Sequence, residues 1–312
     1  MADIHGMNDV NRDNNNNNYR NHNDNNNNNA AQYMNGQYSL LGSLSNTQGD
    51  PRKESFLYFI MNFICPNFKL LSFTSIILCI NIILFILSII FNFNAYASEF
   101  LSPSATGFFI RTFSLDKRSI LGDHRLLNTY RYITNALFHG NFLHLISNTI
   151  IMLMFGSLVE KLITTWKTAF IYVLSGVLGS LFSLLLSDIN SSSVGASICV
   201  YGVLGGYFMF CVVNWKLLDR LFGAVGKSCM FYILLFYIVF MLLIQFNSQE
   251  QTMINVYGHI GGFVCGFFLC GCVVRPLVED EEVSCVSMKV ILYGSVAVCA
   301  GFAIVGFVVL YV

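Results

Sequence analysis

The sequence predicts an all-α polytopic membrane protein, a six-helix core followed by a seventh transmembrane helix. Three observations predict it. Apolar residues make up 55% of the 312-residue chain and charged residues only 11%, with a mean hydropathy of +0.60, whereas a soluble domain of this size needs a far more charged surface. The apolar residues gather into seven runs, each about as long as a helix needs to cross ~30 Å of hydrocarbon. The second, fourth and sixth of these runs differ from the rest, because they hold His144, Asn148, Ser197 and His259 and most of the in-span glycines. The formal net charge is zero, so there is no basic field to draw a nucleic acid and no such partner is expected.

Residues 1–55 are polar, and thirteen of the nineteen residues from Asn11 to Asn29 are asparagine. Such a tract cannot bury enough apolar surface to offset its ordering entropy and is expected to be a disordered cytoplasmic tail. No apolar core follows a basic start, so it does not read as a signal peptide, and the first span is left to serve as the targeting signal. Residues 56–69 include an apolar stretch, Phe56–Cys65, that is too short to span and is ended by Pro66. It is expected to lie in the interface. The spans fall near Leu70–Phe93, Leu137–Val159, Thr168–Leu186, Ser197–Asn214, Cys229–Phe246, Asn255–Val274 and Lys289–Tyr311. Residues 70–274 thus form the six-helix core, and 275–312 a cytoplasmic loop and the seventh helix. Ten cysteines lack the paired spacing of a zinc site, and most lie inside apolar runs, where cysteine acts as a small hydrophobe. Neither a metal nor an organic cofactor is implied.

Loop charge orients the chain. With the N-terminus cytoplasmic, twelve of the seventeen Lys and Arg residues fall inside and the five outside (Arg111, Lys117, Arg118, Arg125, Arg131) all lie in the first loop. The positive-inside rule therefore predicts a cytoplasmic N-terminus and a lumenal or extracellular C-terminus. The first outer loop keeps its own charges and the apolar Phe108-Phe109-Ile110. A loop this long and mixed is usually functional, and this one is expected to rest partly on the membrane.

Spans two, four and six run in the same direction on this topology. His144, Ser197 and His259 then lie at one shallow depth below the outer face. An intramembrane histidine is expensive to keep and marks a functional hypothesis. A serine needs a neighbouring base to become a nucleophile, and hydrolysis needs water, which a shallow site can reach. Gly258, Gly262 and Gly266 recur every four residues around His259, a spacing that lets helices meet backbone to backbone. It serves ordinary packing and also brings His259 toward Ser197. His144 and Asn148, four apart, share a helix face; they suit an oxyanion hole or interhelical hydrogen bonding. His139 reads as structural. Tyr201 lies one turn below Ser197, placed to stack on His259. No intramembrane carboxylate offers itself as a third member, so the pattern is a Ser–His dyad.

These residues resemble the rhomboid intramembrane serine proteases over roughly Tyr130 to Val274. The likeness is carried by Tyr130-Arg131, by HGNFLHLISN from His139 to Asn148, and by Gly156 with Glu160-Lys161. Gly195-Ala196-Ser197 with Tyr201-Gly202 and GHIGGFVCG from Gly258 to Gly266 continue it. The resemblance implies Ser197 as nucleophile and His259 as base. It implies an oxyanion hole from His144, Asn148 and the Ser197 backbone N–H, with Arg131 in a bracing first loop. A seventh span after the core is similar to the eukaryotic secretase-type members of the secretory pathway or plasma membrane. The asparagine-rich tail resembles those of apicomplexan parasites, where cell-surface adhesins are the implied substrates. The expected function is a serine endopeptidase cleaving single-span membrane proteins near the outer end of their helix, with the lipid bilayer as its medium. The alternative is an inactive relative that binds and escorts membrane-protein clients. A transporter would want charged or broken spans at the midplane and fits less well. Two positions depart from the family: Ile198 replaces the usual glycine after the nucleophile, a change expected to narrow the substrate cleft or alter which side chain fits before the scissile bond, and Tyr130 stands where tryptophan is usual.

Overall fold

The computed structural model describes residues 71–91, 108–123, 125–215, 228, 232, 235, 255–276 and 285–311. All lie in the second of two compact units, Ile60–Val312. The readings of the asparagine-rich stretch and of Phe56–Cys65 fall outside these residues, as does the fifth span apart from isolated positions.

The first helix, α1 (Phe73–Phe91), turns Thr74, Ser75, Leu78, Asn81, Phe85 and Ser88 inward. That three-four spacing makes one buried stripe, while Ile76, Ile83, Ile86 and Ile90 face outward as a lipid-facing surface would. The first loop carries the short helices α2 (Phe108–Phe113), α3 (Lys117–Leu121) and α4 (Arg131–Thr134). Strand β1 (Leu115–Asp116) lies between α2 and α3 and pairs antiparallel with β2 (Ser192–Ser193), Leu115 opposite Ser193. The pairing fastens the loop to the segment that precedes Ser197.

The helix of span two, α5 (Phe142–Ile163), begins five residues later than hydropathy placed it. Asn141 is extended and its side chain accepts from the His144 N–H at 2.8 Å, capping the helix. Phe138, apolar but outside the helix, stacks on Phe113 with ring centroids 4.7 Å apart. Hydropathy alone cannot separate a helical apolar residue from one that plugs a loop. Within α5 a wider π turn covers Met152–Gly156. Thr164, with φ 93°, then turns the chain directly into α6 (Thr165–Leu186).

Helix α7 (Ser197–Val213) is the centre of the fold. It is apolar but only 17 residues long, or about 26 Å at 1.5 Å per residue, and nearly every side chain is buried. It packs chiefly on α6 and on α8 (Val256–Val273). Helix α9 (Cys285–Tyr311) covers α8 and α6 from outside. Phe302 meets Phe182 at 5.2 Å, and the Tyr311 and Tyr132 hydroxyls pair at 2.9 Å. Burial and that contact hold the Tyr132 phenol well above its ordinary pKa. Among the described residues α1, α5, α6, α8 and α9 are long and apolar enough to cross a membrane.

Two buried charged residues tie these elements together. Glu160, at the end of α5, accepts from the Phe73 and Thr74 amides at 2.9 and 3.0 Å, from the Thr74 hydroxyl at 2.9 Å and from the Thr165 hydroxyl at 2.8 Å. It caps α1 and borders the start of α6, where negative charge suits the helix dipole. Arg131 donates to the Arg111 and Ser114 carbonyls at 3.0 and 2.8 Å and to Asn128 Oδ1 at 3.1 Å. It thereby fixes the first loop in one conformation.

Candidate active site

Ser197 opens α7, and the loop before it is held on several sides. The Gly195 amide donates to the Asn135 carbonyl at 2.8 Å. The Ala196 amide faces His139 Nε2 at 3.5 Å. Gly195 itself has φ +136°, a region that L side chains rarely adopt. A Cβ there would also strike the His144 ring. Glycine is therefore required twice, once by the turn and once by the imidazole lying on it.

His259 stands one turn into α8. Its Nε2 lies 2.6 Å from Ser197 Oγ. Tyr201, one turn below the serine, stacks on the His259 ring with centroids 4.5 Å apart and planes 7° off parallel. Helix packing sets this distance. A Cβ at Gly262 would collide with the Ile198 carbonyl oxygen, one at Gly266 with the Gly202 carbonyl, and one at Gly205 with the Phe263 carbonyl. The two helices touch backbone to backbone along their length, as the four-residue glycine spacing predicted. His259 and Tyr201 are buried, whereas Ser197 keeps partial exposure. A hydroxyl hydrogen-bonded to an imidazole is the arrangement that activates a serine for attack.

His144 and Asn148 lie on α5 beside the start of α7. The His144 ring rests on Gly195 and meets His139 edge-on at 5.5 Å. Asn148 is buried and lines a crevice together with Ala196 and Val200 of the nucleophile helix. The first-turn amides of a helix have no intrahelical acceptor, so the N-terminus of α7 adds backbone donors beside these side chains. Arg131 and Glu160 stand away from the serine, as braces of the loop and of the helix ends.

The departure at Ile198 has a different consequence from the one its chemistry implied. The side chain is 2% exposed and points into the junction of α6, α7 and α8. Its Cδ1 would lie 2.7 Å from a Cβ at Gly258, and its Cγ2 2.7 Å from one at Gly179. Ile198 fills space that glycines on two neighbouring helices leave open and does not narrow a cleft above Ser197.

One residue at this site is missing from the roles read in the sequence. Asn255 caps α8, its Oδ1 accepting from the Gly258 amide and the Ser183 hydroxyl, both at 2.7 Å, while its Nδ2 donates to Ser193 Oγ at 2.9 Å. It joins α6, β2 and the helix that carries His259. An asparagine just ahead of an apolar run is the one sequence cue for such a cap.

Residues 127–276 match the family model of the rhomboid domain. Rhomboid-like protease 3 of Toxoplasma gondii is 30% identical over 177 residues, covering 56% of this chain and 62% of that protein. RHOMBOID-like protein 5 of Arabidopsis thaliana is 33% identical over 141 residues, 45% of this chain and 42% of that protein. Rhomboid-related protein 2 of Mus musculus is 26% identical over 158 residues, 49% of this chain and 52% of that protein. The chain thus spans roughly half the length of these relatives.

Proposed function

The chain belongs to the rhomboid family through residues 127–276, and from that premise we propose that it is an intramembrane serine endopeptidase cleaving single-span membrane proteins near the outer end of their helix. The observation that carries the reading is the 2.6 Å hydrogen bond between His259 Nε2 and Ser197 Oγ. In this mechanism His259 accepts the serine proton as Oγ attacks the scissile carbonyl. Tyr201, stacked on the ring, holds the base where an aspartate would otherwise orient it. His144, Asn148 and the Ser197 backbone N–H receive the developing oxyanion, and losing one such donor costs roughly 3 kcal/mol of transition-state stabilisation. The imidazolium then returns its proton to the leaving amine. Water, activated by the same imidazole, hydrolyses the acyl-serine.

A helical substrate has to unwind to offer its carbonyl, because intact helix amides are all engaged. Glycine or other small residues near the cleavage point lower that cost. The short central helix supports a site set below the membrane surface, since about 26 Å of helix falls short of ~30 Å of hydrocarbon. The bilayer is its medium. We place the chain in the secretory pathway or plasma membrane, N-terminus cytoplasmic, with membrane-anchored adhesins as the substrate class.

Labelling of the detergent-solubilised protein with a fluorophosphonate tests the reading. Wild type is expected to label, and Ser197→Ala and His259→Ala are not. Cleavage of a transmembrane substrate that survived Ser197→Ala would overturn it. Client binding without labelling in a folded wild type would favour the inactive escort instead.

A further inference from the structure

Beside Asn148 lies a crevice lined by residues of four helices, among them Asn81 of α1, Asn148 and Met152 of α5, Tyr172 of α6 and Val200 of α7, with Ala196 just ahead of α7. It is too narrow to admit a water molecule. Three buried polar side chains face it, and Asn81, Asn148 and Tyr172 are 2%, 6% and 3% exposed. Asn81 Oδ1, Asn148 Nδ2 and the Tyr172 hydroxyl have no well-formed hydrogen bond among the described residues. The Tyr172 hydroxyl approaches both the Asn81 carboxamide and the Cys199 thiol without closing a well-formed bond to either.

One orphaned polar atom in a membrane core is costly, and three meeting in one crevice call for a common reason. Their chemistry is complementary. Asn81 Oδ1 only accepts, Asn148 Nδ2 only donates, and a phenol does both. A relay from Asn148 Nδ2–H to the Tyr172 oxygen, and from the Tyr172 O–H to Asn81 Oδ1, would satisfy all three. With no room for water, the one other polar neighbour of the phenol among the described residues is the Cys199 thiol, a weak partner. An amide nitrogen carries two hydrogens. One held from behind leaves the second for an oxyanion and fixes its direction.

We infer that Asn81 and Tyr172 are positioning residues that hold the Asn148 carboxamide in the orientation in which it stabilises the oxyanion. The inference rests on the proteolytic reading and goes past it, bringing the first and third spans into the reaction. Positioning from the layer behind a donor is how a site keeps its geometry tight. Asn81 is spaced for this on α1, seven residues from Thr74 and seven from Ser88 along the buried stripe.

The test is a double-mutant cycle on the purified full chain in detergent, read as kcat and KM for a transmembrane substrate alongside the thermal midpoint. Tyr172→Phe removes one oxygen and Asn81→Leu one carboxamide. Each is expected to lower kcat about tenfold, the middle of the range for members of one hydrogen-bond network, with KM unchanged. Combined with Asn148→Ala, neither is expected to lower kcat further by more than about twofold. Losses that multiply fully with Asn148→Ala, or that follow the midpoint downward with KM rising, would overturn the inference. So would an Asn148→Ala protein with wild-type kcat while Ser197→Ala is dead. If Asn81→Leu fails to fold, Tyr172→Phe alone decides, since it keeps the shape of the ring. A folded wild type that neither labels with fluorophosphonate nor cleaves would overturn the proteolytic reading itself, and this inference with it.

Discussion

Replacing Ile198 with glycine tests how the packing around the nucleophile works. If the side chain stood in the cleft, the substitution would open it and speed the cleavage of bulky substrates. Buried instead between Gly179, Gly258 and Gly262, it leaves a void when removed. Truncating a buried isoleucine to alanine costs roughly 2–5 kcal/mol, and the step from alanine to glycine in a helix adds up to about 1 kcal/mol. A loss of roughly 2–6 kcal/mol follows, or at least about 4 °C in thermal midpoint for a chain of this size. Because Ile198 also touches the helix that carries His259, its loss slackens the Ser197–His259 contact, and cleavage falls even well below the midpoint. The assay is thermal unfolding in detergent beside the initial cleavage rate for a small and a bulky residue before the scissile bond. Ile198→Val, which removes one methyl, is expected to cost about 0.5–1.5 kcal/mol. A midpoint within 2 °C of wild type (the scatter allowed for by about 0.5 kcal/mol), together with faster cleavage after bulky residues, would refute the reasoning.

Three further outcomes follow from the contacts described. Tyr201→Ala removes the stack on His259, worth about 0.5–1.5 kcal/mol, and is expected to slow cleavage by up to roughly tenfold, while Tyr201→Phe, which keeps the stacked ring, is expected to lose less in the same assay. Glu160→Gln leaves amides at the start of α1 with a weaker, half-donating partner, and a loss of roughly 1–3 kcal/mol is expected in thermal unfolding. Asn255→Ala removes the cap of α8 and its links to Ser183 and Ser193. It is expected to cost about 0.5–2 kcal/mol and to speed hydrogen exchange at the Gly258 amide.

Much of this was legible in the sequence. Apart from the start of α5, helices occupy the positions of the apolar runs where residues are described, because span length is fixed by the bilayer. The pairing of Ser197 with His259 followed from glycines at four-residue spacing, and the stack of Tyr201 from its one-turn offset. What the sequence left hidden depends on helix rotation and on partners far along the chain. Whether Ile198 faces a cleft or a neighbour is set by the phase of α7 among three helices, and no local pattern records it. Asn81 and Tyr172 read as single polar residues in apolar runs until the packing brought them to one crevice. The start of α5 was misplaced because Leu137 and Phe138 are as apolar as the helix that follows Asn141.

The cap supplied by Glu160 also bears on biosynthesis. Helix α1 leaves the ribosome well before its cap, because the carboxylate that satisfies the Phe73 and Thr74 amides lies 87 and 86 residues later. At roughly 5–20 residues per second, α1 waits about 4–17 s with those amides open. Until then only water or the headgroup layer can serve those amides. Arrival of Glu160, followed at once by the turn at Thr164 and by α6, brings the partner those amides have in the folded chain. The order of synthesis and the order of docking differ, and this one carboxylate is where they are reconciled.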